Sequence, residues 1–208
     1  IEDEGTLLIT RKENIFLTYT MFLENVKNTL TINDEIIVAD FRDISKDEYE
    51  NFFLFCENIG FEENYVTYKQ YYYLKQKYRV NNLAETENIV EKLRAVKDKD
   101  EIENIKKACE LTDKCFSHLL EFIKMGMTEK EIAFEIEMFF RKNGADGLAF
   151  DPIVAIGENS AKPHWKPGDK KVEMADPILI DMGCKYNGYC SDMTRTIFAG
   201  CILEKIKP

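Results

Sequence analysis

The run between residues 177 and 198 constrains this chain more than any other. Pro177-Ile178-Leu179-Ile180-Asp181-Met182-Gly183 is apolar except for one acid, and Asn187-Gly188 follows as a strong short-range hairpin signal. Residues 189–198 then alternate polar and apolar side chains. Two antiparallel strands joined by a tight turn satisfy this pattern, and in such a hairpin opposed residues share a face. Asp181 and Asp192 stand 11 positions apart. A four-residue turn over 185–188 sets them directly opposite, with Cβ atoms about 4.5–5.5 Å apart. A two-residue turn at Asn187-Gly188 makes them diagonal neighbours on that same face.

Like charges opposed across a sheet destabilise it. Either one carboxylate takes up a proton, or a cation lies between them, or both are solvated on an exposed face. Thr194 and Thr196 continue the polar face beyond Asp192. Such a face suits hard, oxygen-seeking ions such as Mn, Mg or Ca.

The charge balance narrows the partners. A net charge of −10 over 208 residues argues against binding nucleic acid or an anionic membrane. There is no apolar run of the length needed to span a bilayer, so no membrane segment is expected. The amino end, Ile1-Glu2-Asp3-Glu4-Gly5, lacks the basic and apolar regions of a signal peptide. Cysteines at 56, 109, 115, 184, 190 and 201 show no C-x-x-C spacing. Reduced thiols in a cytoplasmic protein account for them more simply than a disulfide frame or a zinc knuckle.

Ahead of the hairpin, residues 6–10 and 35–40 read as short β-strands. Residues 49–59 have a helix-like apolar pattern that ends at Gly60. A tyrosine-rich stretch includes Tyr71, Tyr72, Tyr73 and Tyr78, which are expected to pack a core or a domain interface. Strands alternating with helices predict a small α/β domain over 1–80. Residues 81–95 read as a linker, polar at first and leading into a helix. A domain over 96–208 follows. Its first helix begins near Asp98, Asp100 and Glu101, whose charge favours a helix amino terminus. The expected apolar stripe is Ile102, Ile105, Cys109, Thr112, Phe116, Leu119 and Ile123. Thr128 and Glu131 form a capping-box pattern for a second helix with Ile132, Ile136, Phe139 and Phe140 inward. Two amphipathic helices before a strand-rich segment predict an α+β arrangement. His118 falls near the first stripe and is expected to be packed rather than functional. His164 lies in a loop after Pro163, where reactive groups tend to sit, although a single loop histidine is often incidental.

The segment from Leu179-Ile180-Asp181-Met182-Gly183 through Gly188-Tyr189-Cys190-Ser191-Asp192-Met193-Thr194-Arg195-Thr196 resembles the first two metal-ligand strands of the prolidase and Xaa-Pro aminopeptidase family. Gly147-Leu148-Ala149-Phe150-Asp151-Pro152-Ile153-Val154-Ala155 and Glu158-Asn159-Ser160-Ala161-Lys162-Pro163-His164 match the same metallopeptidases in the same order. Ile9-Thr10 to Glu13-Asn14 and residues 61–68 resemble the creatinase-type amino-terminal domain of these proteins. That domain is shorter here than the family norm around 41–47.

The resemblance implies an α/β amino-terminal domain followed by the first half of a pita-bread α+β catalytic domain. It assigns Asp181 to one metal and Asp192 to a bridging position between two divalent ions, Mn or Co. It places His164 beside them, facing the substrate carbonyl. The substrate class it implies is a proline-containing peptide cut at an Xaa-Pro bond, and the assembly a homodimer. Trp165 departs from the smaller residue usual at that position. The family completes its metal site with a histidine and two glutamates that do not follow Asp192 here, so the 208 residues alone are expected to be inactive. Residues 201–208 resemble a helix found further along in these proteins. The alternative is a non-catalytic peptide- or protein-binding module on the same fold. The retained aspartates count against it and against a metal-free creatine-hydrolysing enzyme, and the extra domain counts against a methionine aminopeptidase.

Overall fold

The computed structural model describes residues 5–11, 13–30, 36–40, 42, 58–77 and 82–200. The chain divides into two compact units, Ile1–Arg94 and Ala95–Pro208.

In the first unit β1 (Gly5–Ile9) pairs antiparallel with β2 (Asn14–Thr18), which pairs parallel with β3 (Ile36–Asp40). Parallel neighbours need a crossover, and α1 (Leu23–Thr29) lies within it. Ile15 and Leu17 alternate inward along β2 and meet Ala39, giving a small core. At the end of β3, Asp40 accepts hydrogen bonds from the Thr20 hydroxyl and from the Arg42 backbone N–H. Together they outweigh burial and hold its carboxyl at about 2.

The described residues depart from expectation at three places in this unit. Of the helix expected over 49–59, residues 49–57 lie outside the described set, and Asn58 and Ile59 begin a strand, β4 (Asn58–Phe61). Within the expected linker, β5 (Asn82–Glu85) pairs parallel with β4, and α3 (Ile89–Ala95) follows. A polar strand with little buried face leaves no period-two signal. Its order comes from backbone pairing and from Asn82 Nδ2 donating to Asn58 Oδ1 at 2.9 Å. The tyrosines of α2 (Tyr68–Lys77) also differ from expectation. Tyr71 packs on Phe61, but Tyr68, Tyr72 and Tyr73 are each at least half exposed. Tyr78 lies outside the described residues.

The second unit starts with α4 (Lys99–Phe122) and α5 (Glu129–Lys142). Both have full capping boxes, Asp98 with Glu101 and Thr128 with Glu131. The buried line on α4 is Ala108, Thr112, Cys115 and Leu119, while Ile102 and Cys109 of the expected stripe are exposed. Small side chains mark the true contact line because there the helix lies against the strands. The strands are β6 (Gly147–Leu148), β7 (Ile153–Ile156), β8 (Pro177–Met182), β9 (Cys184–Tyr186), β10 (Tyr189–Cys190) and β11 (Met193–Phe198). Their sheet orders are β10-β9-β6 and β11-β8-β7. Because β8 runs into β9, β10 into β11 and β6 into β7, these are two halves of one antiparallel ribbon that bends at Gly183. Helix α4 covers β9 and β10, and α5 covers β6 and β7.

Burial alternates strictly along β8. Ile178, Ile180 and Met182 are fully buried against Leu119, Ile132, Ile136 and Phe140, and Leu179 and Asp181 point the other way. The expected consequence is a sharp asymmetry between the two faces. Ile180→Ala should cost about 2–5 kcal/mol by denaturant unfolding. Thr196→Ala, on the exposed face of β11, should stay within about 0.5 kcal/mol.

Candidate active site

Asn187 and Gly188 both adopt positive φ, 46° and 83°, and Tyr186 pairs with Tyr189. This two-residue type I′ turn suits the strand twist and selects Asn-Gly. The register therefore sets Asp181 opposite Thr194, with Asp192 one step before β11 at the level of Gly183. Of the two geometries open to the hairpin, the diagonal one holds. Thr194 Oγ1 donates to Asp181 Oδ1 at 2.8 Å.

All three strands of the ribbon break off at this level. Residues 149–152 separate β6 from β7, Gly183 separates β8 from β9, and Ser191 and Asp192 separate β10 from β11. A Cβ on Gly183 would lie 2.0 Å from the Ser191 carbonyl oxygen, so only glycine allows that crossing. The displaced carbonyl leaves a buried donor to satisfy, and the Ser191 side chain does so. The Ser191 N–H donates to Cys184 O at 3.0 Å, while the Cys184 N–H donates to Ser191 Oγ at 3.0 Å. Ser191 Oγ also bonds Thr112 Oγ1 at 2.6 Å, tying the break to α4. The register is kept across this break, Cys190 pairing with Lys185 and Met193 with Met182, so Asp192 stays on the face that carries Asp181 and Thr194.

Asp181, Asp192 and His164 line one cleft of about 650 Å³. Phe134, Phe150, Pro152 and Trp165 give it apolar walls, and Glu137 and Asp151 add negative charge. The structure thus brings all three expected residues together. His164 is exposed and sits at φ 54°, a left-handed conformation that costs of order 1–3 kcal/mol unless the surroundings impose it. It lies beyond the 3-10 turn Gly157–Ala161. His118 has the packed role expected, stacked on Phe139 and 2.8 Å from Glu135 Oε1.

Two residues that the sequence did not single out organise the site. Ser191 is one; Glu129 is the other. Glu129 has no solvent exposure, yet four donors meet its carboxylate. Oε1 accepts from the Ile156 N–H at 2.8 Å and Asn159 Nδ2 at 2.9 Å. Oε2 accepts from Trp165 Nε1 at 2.9 Å and the Gly168 N–H at 2.8 Å. Burial pushes the Glu129 carboxyl up, but these donors outweigh it and hold it below its ordinary value. In sequence it resembles any acid in a helix's first turn, and its partners lie 27 to 39 residues away.

Among the described residues, no group of three or more His, Cys, Asp or Glu side chains forms a metal-ligand set. Asp181 and Asp192 supply carboxylate oxygens, which suit hard divalent ions. The described cysteines are free, and burial pushes the Cys115 thiol up to about 12, leaving it an inert core group. Among the described residues no helix is long and apolar enough to cross a membrane.

An α/β unit followed by a helix-covered bent ribbon with paired aspartates defines a class, the creatinase-type domain joined to a pita-bread domain. Residues 2–96 match the Creatinase/Prolidase N-terminal domain, and residues 103–207 match Metallopeptidase family M24. The chain belongs to metallopeptidase family M24. It is 40% identical over 149 residues to an Xaa-Pro dipeptidase of Pyrococcus furiosus, covering 72% of this chain and 42% of that protein. An uncharacterized peptidase, YqhT, of Bacillus subtilis is 38% identical over 151 residues, covering 73% of this chain and 43% of that protein. Among solved structures, an Xaa-Pro dipeptidase from Bacillus anthracis superposes with a TM-score of 0.86 at 35% identity, over 99% of this chain and 57% of that one. An X-Pro aminopeptidase from Thermotoga maritima gives 0.84 at 34% identity, over 97% and 57%. The chain therefore spans about two fifths of the length of these curated relatives and somewhat over half of the solved ones.

Two outcomes are expected. Ser191→Ala should cost about 1–3 kcal/mol in urea unfolding, because it strands the buried Cys184 N–H. Glu129 gives a pH signature. Its folded-state pKa lies below the ordinary 4.5, so its stabilisation is complete above 4.5 and is lost as pH falls further. The gap in thermal midpoint between the parent and Glu129→Gln should narrow as pH drops from 6 to 3.

Proposed function

We propose that the full-length protein is a metal-dependent peptidase that hydrolyses Xaa-Pro bonds, in dipeptides or at peptide amino termini. One observation carries this reading: two carboxylates on a single sheet face share a cleft with a loop histidine. The donor chemistry fits divalent ions, Mn or Co, with Asp181 and Asp192 as two of the ligands. When bound, such ions supply Lewis-acid activation of water and of the scissile carbonyl.

The chain's own residues do the remaining work. Asp181, held by Thr194, keeps one carboxylate fixed in the absence of any ion. His164 donates to the carbonyl oxygen as negative charge develops there, a stabilisation that strengthens in the transition state. The apolar walls formed by Phe150, Pro152 and Trp165 accept a proline ring and exclude water. Glu137 and Asp151 add negative potential, which favours the protonated amino terminus of a short peptide. The peptide is the partner in this reading, the protein acts as a homodimer, and the free thiols of Cys109 and Cys190 suit a reducing cytosol.

Ala-Pro and a longer Xaa-Pro peptide, each assayed with and without chelator, separate dipeptidase from aminopeptidase. Turnover should appear with Mn²⁺ or Co²⁺ and vanish on chelation. A complete, metal-loaded protein that binds such peptides without cutting them is a binding module instead. Asp192→Asn should lower turnover by about 100-fold or more, since even losing an outer-shell partner of a metal ligand costs 10- to 100-fold. The metal-free variant should melt no lower than the parent, because a like charge has been removed beside Asp181.

A further inference from the structure

Glu129 has no need to cap its helix. Thr128 and Glu131 already satisfy that terminus with a reciprocal pair of hydrogen bonds. A glutamate in the first helical turn ordinarily faces water, where it interacts weakly with the dipole. Burying a carboxylate without a counter-ion is expensive unless its lone pairs are filled. Here all the hydrogen bonds to its two oxygens come from one stretch of chain, residues 156–168.

The donors are spread along that stretch. Ile156 ends β7, Asn159 sits in the 3-10 turn, Trp165 follows His164, and Gly168 closes the loop. The loop is packed onto the carboxylate as well. A Cβ on Gly168 would lie 3.3 Å from Oε2. Lys162 bridges two of the donors, bonding Asn159 Oδ1 at 3.0 Å while its ammonium lies 4.4 Å from the Trp165 ring centre. The backbone reinforces this, with Glu129 N donating to Lys170 O at 3.1 Å and Lys130 N to Gly168 O at 3.2 Å. His164, the strained residue, lies between the two donor pairs and directly beside Trp165.

We propose that Glu129 is the positioning residue of the His164 loop, its buried carboxylate holding residues 156–168 so that His164 and Trp165 face Asp181 and Asp192 across the cleft. The functional half of this inference rests on the peptidase reading above; the structural half does not. An apolar side chain at 129 could fill the same space and stabilise the core at least as well, but it could not gather four separated N–H donors. The charge therefore fixes a loop conformation that packing alone does not specify.

The test compares Glu129→Gln with the parent in the full-length protein, using peptide-resolved hydrogen exchange, the Trp165 indole N–H resonance and steady-state kinetics. Glutamine is nearly isosteric but turns an NH₂ group towards two N–H donors. Exchange in peptides covering 157–168 should rise about tenfold, with α4 and β8 unchanged. The indole resonance, assigned by its loss in Trp165→Phe, should move upfield as its carboxylate acceptor is lost. Turnover should fall about tenfold or more at nearly constant KM, and Glu129→Asp, which keeps the charge, should recover part of it. Should Glu129→Gln not fold, Glu129→Asp supplies the comparison, with selective loosening of 157–168 as the expected result. A uniform loss of stability with no selective change in the loop or the indole overturns the proposal. A loosened loop with undiminished turnover overturns its functional half. If the protein cleaves no Xaa-Pro peptide at all, the peptidase reading fails while exchange and indole data still decide the positioning role.

Discussion

The carbonyl of Ser191 crossing over Gly183 is the constraint on which the rest of the second unit depends. An antiparallel pair normally exchanges two N–H···O bonds between facing residues. Here Cys184 and Ser191 keep one of them, and a side-chain hydroxyl replaces the other. The substitution lets the backbone depart from the ladder without an orphaned donor. It also explains why the break falls where it does. A residue with a Cβ at 183 would push the strands apart, and one without a short hydroxyl at 191 would leave a buried amide unpaired. The gap in β6–β7 at residues 149–152 falls at the same level, so the ribbon opens on the side where Asp181 and Asp192 stand.

Behind that opening the unit is apolar and closely packed. The inward residues of β8 meet two capped helices, and among the described residues of this unit the one buried charged side chain is Glu129, at the edge of the core. The two faces of one strand thus divide the work. Ile178, Ile180 and Met182 supply the burial that holds the strand in place. Leu179 and Asp181 point away from that core, and Asp181 lines the cleft on a backbone held by the buried residues beside it. Carboxylates carried on strands in this way owe their placement to the core, and the two acids can remain neighbours because one is half-exposed, the other exposed and water screens them.

Much of this was legible in the sequence. Asn187-Gly188 announced the turn, and both capping boxes announced their helices, because these signals depend only on local backbone chemistry. The shared face of Asp181 and Asp192 was also legible, since period-two parity is the same for either turn length. Their separation was not, because parity leaves the register open. The misplaced stripe on α4 has a related cause: hydrophobic periodicity favours large side chains, whereas the closest approach to the strands runs through Ala108, Thr112 and Cys115. The pairing of β4 with β5 left only a short apolar trace, Ile59 and Phe61 on one strand and Leu83 on the other. Asn82–Glu85 is a strand because a neighbour completes its hydrogen bonds.

The least legible residues are those whose work is electrostatic and remote. Asp40 in the first unit and Glu129 in the second are both buried acids at element ends, and each gathers donors from a neighbouring turn. In sequence both read as ordinary termini. What distinguishes them is that every oxygen is occupied, which is the condition under which a buried carboxylate stabilises a fold rather than weakening it. The donors differ in reach: those of Asp40 come from within 20 residues, while those of Glu129 extend to 39. A short-range set tightens one corner of a domain. A long-range set ties a whole loop to a helix, and it is the loop tied in this way that carries His164.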